Sequence, residues 1–65
     1  MQEMDTLKAL LCELVTAHNK KDDIQLQKLE AEIIDEYNAS TISDRAYRAL
    51  LAIQQIFRND LRKER

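Results

Sequence analysis

Residues 42–61 read ISDRAYRALLAIQQIFRNDL, and this stretch decides the fold. Its apolar side chains recur every three or four residues, which is the spacing of one face of an α-helix. Ser43 is a candidate N-cap, and Ile42 and Tyr47 have the spacing of a hydrophobic staple around it. Alternatively, Thr41 caps the helix and Asp44 closes a capping box. Both versions predict a helix over about residues 43–63, whose core-facing positions are Tyr47, Leu50, Ile53, Phe57 and Leu61.

Two further amphipathic segments precede this one. The first predicts a helix over about residues 3–18, with an apolar stripe at Met4, Leu7, Leu11, Leu14 and His18. The second predicts a helix over about 23–37, with a stripe at Leu26, Leu29, Ile33 and Tyr37. The two stripes do not share one register across the polar stretch 18–23, so we expect a break there. Asn19 and Asn38 are the expected left-handed residues at the two helix ends.

Glycine and proline are absent from all 65 residues. Hairpin turns and phosphate-binding loops depend on these residues, so their absence argues against sheets and against most active-site turns. The predicted fold is therefore all-α. We expect a single helical domain over residues 1–65, either a small three-helix bundle or a helical hairpin plus a third helix.

A chain of this size buries a small core and usually needs a further source of stability. Its single cysteine, Cys12, forms no internal disulfide and is expected to be a buried or flanking apolar residue. Association with a second chain remains, so the sequence predicts a homodimer, a complex with another protein, or both. Four apolar residues that widen the helical stripes are the candidate self-association residues: Leu10, Val15, Leu51 and Ile56.

The chain has no recognisable catalytic or metal-binding motif. Cys12 and His18 are six residues apart, which places them about 120° apart on a helix, too far to act as a pair. The acidic residues of the second helix lack the Glu-x-x-His pattern of di-iron bundles. We therefore expect no catalytic residue, no bound metal and no cofactor.

Charge is divided along the chain. Residues 1–43 carry a net charge of −5 and residues 44–65 a net charge of +3. The basic end contains Arg58, Arg62, Lys63 and Arg65, which are candidate contacts for nucleic acid or for an acidic partner. The sequence pI of about 5.3 argues against nonspecific DNA binding. An acidic second helix is also expected to lie against, or across a dimer from, the basic third helix.

Nothing in the sequence has the pattern of a signal peptide or a transmembrane segment. The first residues, MQEMD, are acidic where a signal peptide is basic. No apolar run is long enough to span a bilayer. We expect a cytoplasmic protein without membrane contact.

From Thr6 to Phe57 the order of features resembles the small enterobacterial AriR/YmgB family. The residues that carry the resemblance are Glu13-Leu14-Val15-Thr16, Leu29 in an acidic middle helix, and the closing pattern Asp44-x-x-Tyr47-Arg48-Ala49-Leu50-Leu51. The resemblance implies a dimeric helical regulator of biofilm, acid-resistance or phosphorelay signalling. The helical spacing is also similar to that of bacteriocin immunity proteins.

The predicted function is that of a small, non-catalytic bacterial regulator that acts by helix-mediated protein–protein binding. Two alternatives remain: a dimeric DNA-binding regulator that uses its third helix, and a helical bundle of the bacteriocin-immunity type.

Overall fold

The computed structural model describes residues 3–63 and contains three α-helices. They are α1 (Glu3–Asn19), α2 (Asp23–Asn38) and α3 (Asp44–Lys63). Each bound lies within one residue of the sequence prediction, and no strand occurs in the described part of the chain. The three predicted helices are thus confirmed, and each of them packs against the other two.

Helices α1 and α3 run in the same direction, and α2 runs opposite to both. Met4 near the start of α1 lines a groove with Arg45 near the start of α3. His18 near the end of α1 contacts Asp60 near the end of α3. The Cα trace measures 39 × 16 × 15 Å, so the molecule is an elongated up-down-up bundle.

The core contains side chains from all three helices and from the second connection. Its buried apolar residues are Leu10, Leu14, Ala17, Leu26, Leu29, Ile33, Ile42 and Leu50. The predicted α2 stripe is confirmed at Leu26, Leu29 and Ile33, which are fully buried, whereas Tyr37 lies at the edge. On α3, Leu50 is fully buried and the other predicted core residues are half-buried against it.

The predicted stripe of α1 is confirmed in part: Leu14 is fully buried, and Leu7 and Leu11 are half-buried against the core, whereas Met4 is 62% exposed. The most buried stripe contains Leu10, Leu14 and Ala17, so the helix is turned toward Leu10 and Ala17 relative to the prediction. Leu10 and Ala17 have the same three-to-four-residue spacing around Leu14 as the predicted stripe. Both stripes therefore satisfy the helical period, and packing against α2 and α3 shifts the most buried positions toward the small side chain of Ala17.

Both helix ends that precede a connection use a left-handed residue, but at different positions from those predicted. Lys21 and Ser40 have φ of 57° and 63°, whereas Asn19 and Asn38 are the last helical residues. At the first end, Asp22 N–H donates to the Ala17 carbonyl, 2.9 Å away. This bond spans five residues, and together with the Lys21-to-His18 bond of 3.0 Å it defines a Schellman motif.

The start of α3 follows the first of the two predicted versions. The Ala46 N–H donates to Ser43 Oγ, 3.1 Å away, so Ser43 is the N-cap. Thr41 instead donates its hydroxyl to the Glu36 carbonyl at the end of α2, 2.8 Å away. Ile42 between them is buried in the core. The short connection therefore fixes α2 and α3 at both of its ends.

Candidate protein-binding face

The four candidate self-association residues divide into two pairs. Leu10 is 4% exposed, so its assignment to an intermolecular face is wrong: it belongs to the core of this chain. Leu51 is half-buried and packs against the core, so it has the intrachain partner that the sequence did not indicate. Val15 and Ile56 remain 45% and 62% exposed. Only the second pair is available to another molecule.

Val15 and Ile56 lie on adjoining flanks of α1 and α3. On α1, Met4, Lys8, Leu11 and Val15 follow a 4-3-4 spacing and therefore share one stripe. Leu11 on this stripe packs against the core, which places the stripe at the edge of the bundle. His18 follows Leu11 by seven residues on that edge and reaches Asp60 of α3, so the stripe faces the α3 side.

On α3, the matching stripe contains Arg45, Ala49, Ala52, Ile56 and Asp60, spaced by four, three, four and four residues. All five residues are exposed. Asp60 contacts α1 through His18, so this stripe borders the α1 stripe. We call the two stripes together the α1/α3 face. It carries the exposed apolar side chains of Met4, Val15 and Ile56 and the exposed Lys8, with Arg45 at one end and Asp60 at the other.

An open groove of about 570 Å³ lies at the Arg45 end of this face. Met4 and Leu7 of α1 line it together with Ser43, Arg45 and Ala46. Its walls are largely apolar apart from the guanidinium of Arg45. A protruding aliphatic side chain from another helix fits such a groove.

The opposite end of the face is held by His18. Its Nε2 lies 2.8 Å from Asp60 Oδ2, and its ring stacks on Phe57 with centroids 4.3 Å apart. These contacts connect the last turns of α1 and α3. The Asp60 side chain remains about half exposed, and its contact with His18 uses Oδ2. The end of the face therefore carries an accessible acceptor.

The predicted basic surface is smaller than the sequence indicated. Arg58 is 16% exposed, and its Nε and Nη2 lie 3.0 and 3.4 Å from the two carboxylate oxygens of Asp23. This paired arrangement raises the pKa of Arg58, with burial opposing the effect. Arg58 therefore joins α3 to α2 and is not free for an external phosphate, whereas Arg62 and Lys63 are exposed. Arg65 lies outside the described residues.

Carboxylates meet where α1 packs on α2. Partial burial raises the pKa of Glu32, and the charge and hydrogen bond of Glu13 raise it further, followed by the charges of Glu36 and Asp35. These residues form an acidic surface along α1 and α2. Among residues 3–63, no group of three or more His, Cys, Asp or Glu side chains is arranged to hold a metal ion.

Cys12 differs from its sequence prediction, because its side chain is exposed. It lines an open groove of about 370 Å³ beside the first connection, with Glu13, Thr16 and Lys20. His18 points instead toward α3. The two residues therefore lie apart, as their spacing indicated.

Sequence reasoning missed Gln54, which is fully buried. It lies four residues after Leu50 and seven before Leu61, in the middle of the apolar stripe, and that position was the available signal. Its amide donates to the Leu26 carbonyl of α2, 3.0 Å away. Gln54 therefore fixes α3 against α2. It lies in the core and is not part of the α1/α3 face.

No protein-family model, curated protein or solved structure matches this chain. The resemblance to the AriR/YmgB family stays a prediction from the residues quoted above. Within residues 3–63, no helix has both the length and the apolar character needed to cross a membrane.

Proposed function

We propose that this chain is a small, non-catalytic regulator that works by binding another protein through the α1/α3 face. The observation that carries the proposal is the exposure of Met4, Val15 and Ile56 on adjoining flanks of two parallel helices. Exposed apolar groups that lie together mark interaction surfaces, whereas apolar residues scattered singly are ordinary. Ile24 is an example of the second kind: it is 67% exposed on α2, away from the other two helices.

An amphipathic helix of another protein fits this face. Two parallel helices leave a shallow trough between them, and an amphipathic helix fills such a trough with residues at i, i+3, i+4 and i+7. Ala49 and Ala52 have small side chains, so a partner helix approaches α3 closely between Arg45 and Ile56. The charged residues at the two ends then set the direction of the partner helix.

The DNA-binding alternative has less support. Arg58 is paired with Asp23, and Arg48 forms an ion pair on its own helix, with its Nε 3.0 Å from Asp44 Oδ2. The remaining basic residues of α3 in the described chain are Arg45, Arg62 and Lys63, and the first of these lies at the far end of the helix from the other two. A DNA-binding helix instead collects its basic residues along one face.

The experiment compares Ile56→Glu with Ile24→Glu. Both variants place a carboxylate on an exposed isoleucine of a helix, but only the first lies on the α1/α3 face. We expect the immobilised wild-type protein and Ile24→Glu to retain the same protein ligand, and Ile56→Glu to lose it. Circular dichroism confirms that all three proteins have equal helix content. Equal retention by Ile56→Glu, or equal loss by both variants, contradicts the proposal.

A further inference from the structure

We propose that the protein which occupies the α1/α3 face is a second copy of this chain, bound antiparallel about a two-fold axis near Ala52. This inference rests on the proposed function, because it assigns the partner of the same face. A two-fold interface uses one patch twice, so the patch must be complementary to itself when it is turned end for end.

The α3 stripe has this property. Arg45 and Asp60 stand 15 residues apart on α3, about 22 Å along a helix, and they carry opposite charges. Turning a second α3 end for end places Arg45 of each copy beside Asp60 of the other. His18 already contacts one oxygen of Asp60, and the other oxygen remains to accept a hydrogen bond from the guanidinium. The interface therefore contains the same ion pair twice.

The small residues of the stripe lie where the two copies of α3 meet. The midpoint between Arg45 and Asp60 falls between Ala52 and Ile53. Ala52 is exposed, and its methyl group allows the two helices to approach closely at the axis. Ala49 of each copy then lies near Ile56 of the other, so that a large side chain meets a small one.

The α1 stripe gives nearly the same axis. The contact between His18 and Asp60 shows which levels of α1 and α3 lie side by side. On that alignment the α3 midpoint lies beside residues 10 and 11 of α1, and the midpoint of Met4 and Val15 lies about one residue away, roughly 1.5 Å. The same rotation therefore places Met4 of each copy over Val15 of the other.

A parallel pairing of the two faces lacks this complementarity. It places the two arginines at position 45 at one end of the interface and the two Asp60 carboxylates at the other, and like charges brought together oppose association. One long side of the whole molecule, about 39 Å by 16 Å in Cα extent, is roughly 600 Å², so the α1/α3 face is smaller than the approximately 800 Å² per partner of a standard interface. We therefore expect a dimer that dissociates in the micromolar range.

Sedimentation equilibrium of the complete chain between 5 and about 200 μM tests the proposal. We expect wild type and Ile24→Glu to pass from monomer to dimer with the same dissociation constant, and Ile56→Glu and Arg45→Glu each to weaken the dimer at least about tenfold. Because Asp60→Arg also removes the contact with His18, the decisive variant is the double substitution Arg45→Glu with Asp60→Arg. We expect it to recover most of the lost affinity.

A disulfide test checks the direction of the pairing. In a Cys12→Ser background, Ala52→Cys lies at the axis and is expected to cross-link two copies on oxidation, whereas Ala31→Cys, which is exposed on α2, is not. Equal cross-linking of the two variants overturns the antiparallel arrangement, and so does a double charge variant that stays monomeric while remaining helical.

The outcomes also separate this inference from the proposed function. A wild-type chain that stays a 7.6 kDa monomer at the highest concentration refutes the dimer. If it still retains a different protein through Ile56, the proposed function stands and its partner is not a second copy. If a dimer forms and Ile56→Glu leaves it unchanged, the dimer uses another surface and the second-copy assignment is wrong, whereas the retention experiment still decides the proposed function.

Discussion

The side-chain amide of Gln54 donates a hydrogen bond to the main-chain carbonyl of Leu26, 3.0 Å away, and both side chains are fully buried. Gln55 in turn donates to Gln54 Oε1, 3.2 Å away. Among the described residues, no buried side-chain polar atom is left without a partner. A polar group of this kind is tolerated in a core when it is fully hydrogen-bonded, and it fixes the position of one helix along another.

We predict that Gln54→Glu lowers the free energy of unfolding by at least about 3 kcal/mol at neutral pH, because it buries a carboxylate against a carbonyl oxygen. Gln54→Met has nearly the same volume, and the Leu26 carbonyl keeps its partner within α2. This variant is expected to lose less than about 1 kcal/mol. Urea unfolding measures both values.

Gln27→Glu is the matched control, since it makes the same chemical change at an exposed position of α2. Its effect is expected to stay within about 0.5 kcal/mol. If Gln54→Glu is no more harmful than Gln27→Glu, the side chain at position 54 is not buried as described.

Glycine at the two left-handed positions is predicted to stabilise the fold. A residue with a Cβ atom in this conformation costs about 1–2 kcal/mol, whereas glycine adopts it freely. Part of this gain is offset by the greater freedom of glycine in the unfolded chain. Lys21→Gly and Ser40→Gly should therefore each raise the free energy of unfolding by about 0.5–1 kcal/mol in thermal or urea unfolding.

Asn19→Gly tests the assignment of that position. Asn19 is the last residue of α1 and Lys21 is the left-handed one, so glycine at position 19 is expected to be destabilising by a few tenths of a kcal/mol. Stabilisation by Asn19→Gly together with destabilisation by Lys21→Gly would show that Asn19, and not Lys21, has the left-handed conformation.

The ion pair of Arg58 and Asp23 is predicted to contribute to stability rather than to ligand binding. Its geometry is bidentate and it connects the last third of α3 to the start of α2. Arg58→Gln should therefore lower the melting temperature more than Arg62→Gln, which removes the same charge from an exposed position. The difference is expected to shrink at high salt, because ions screen the pair.

A double-mutant cycle of Arg58→Gln and Asp23→Asn measures their coupling directly. Coupling indistinguishable from zero would contradict the pair. A gel-shift titration of the same variants addresses the DNA-binding alternative: a shift that is lost with Arg58→Gln, while stability is unchanged, would favour nucleic acid over protein as the ligand.

The acidic surface between α1 and α2 predicts a pH-dependent effect. Because the pKa of Glu32 is raised in the folded chain, the protonated form is favoured by folding, and this contribution is lost as pH rises through the folded pKa. Glu32→Gln mimics the protonated form. It should raise the melting temperature at pH 7 by no more than about 3 °C, and the gain should disappear near pH 4.

Asp5→Asn is the control for this prediction, because it removes one negative charge from an exposed position in the first turn of α1. An acidic residue there is favourable to the helix, so its replacement should give no gain at pH 7. An equal gain from Asp5→Asn would show that net charge, rather than the neighbours of Glu32, is responsible.

Local signals in the sequence predicted the helices well. The apolar periodicity and the N-cap Ser43 involve residues three or four positions apart, and the absence of glycine and proline is a property of the composition. All of these signals can be read from the sequence alone. The left-handed residues were misplaced by two positions at both helix ends. The chemistry of Asn19 and Asn38 favours such a conformation, but the closing hydrogen bonds place it at Lys21 and Ser40.

The candidate face was predicted in part. Val15 and Ile56 were selected as apolar residues outside the main stripes, and both are exposed. Leu10 and Leu51 were selected on the same ground, but both pack within this chain: Leu10 is buried in the core and Leu51 is half-buried against it. A helical stripe wider than one contact does not show which of its edges faces a neighbour, because that depends on how the other two helices pack.

The sequence by itself determined where the helices begin and end, because those signals are short-range and involve one helix at a time. Only the tertiary structure decided which stripe of α1 is buried, that Gln54 lies in the core, that Arg58 is paired with Asp23, and that the stripes of α1 and α3 adjoin. Each of these depends on contacts between residues that are distant in the chain. Such contacts arise when the helices satisfy their packing and polar groups together, and several arrangements share the same helical period.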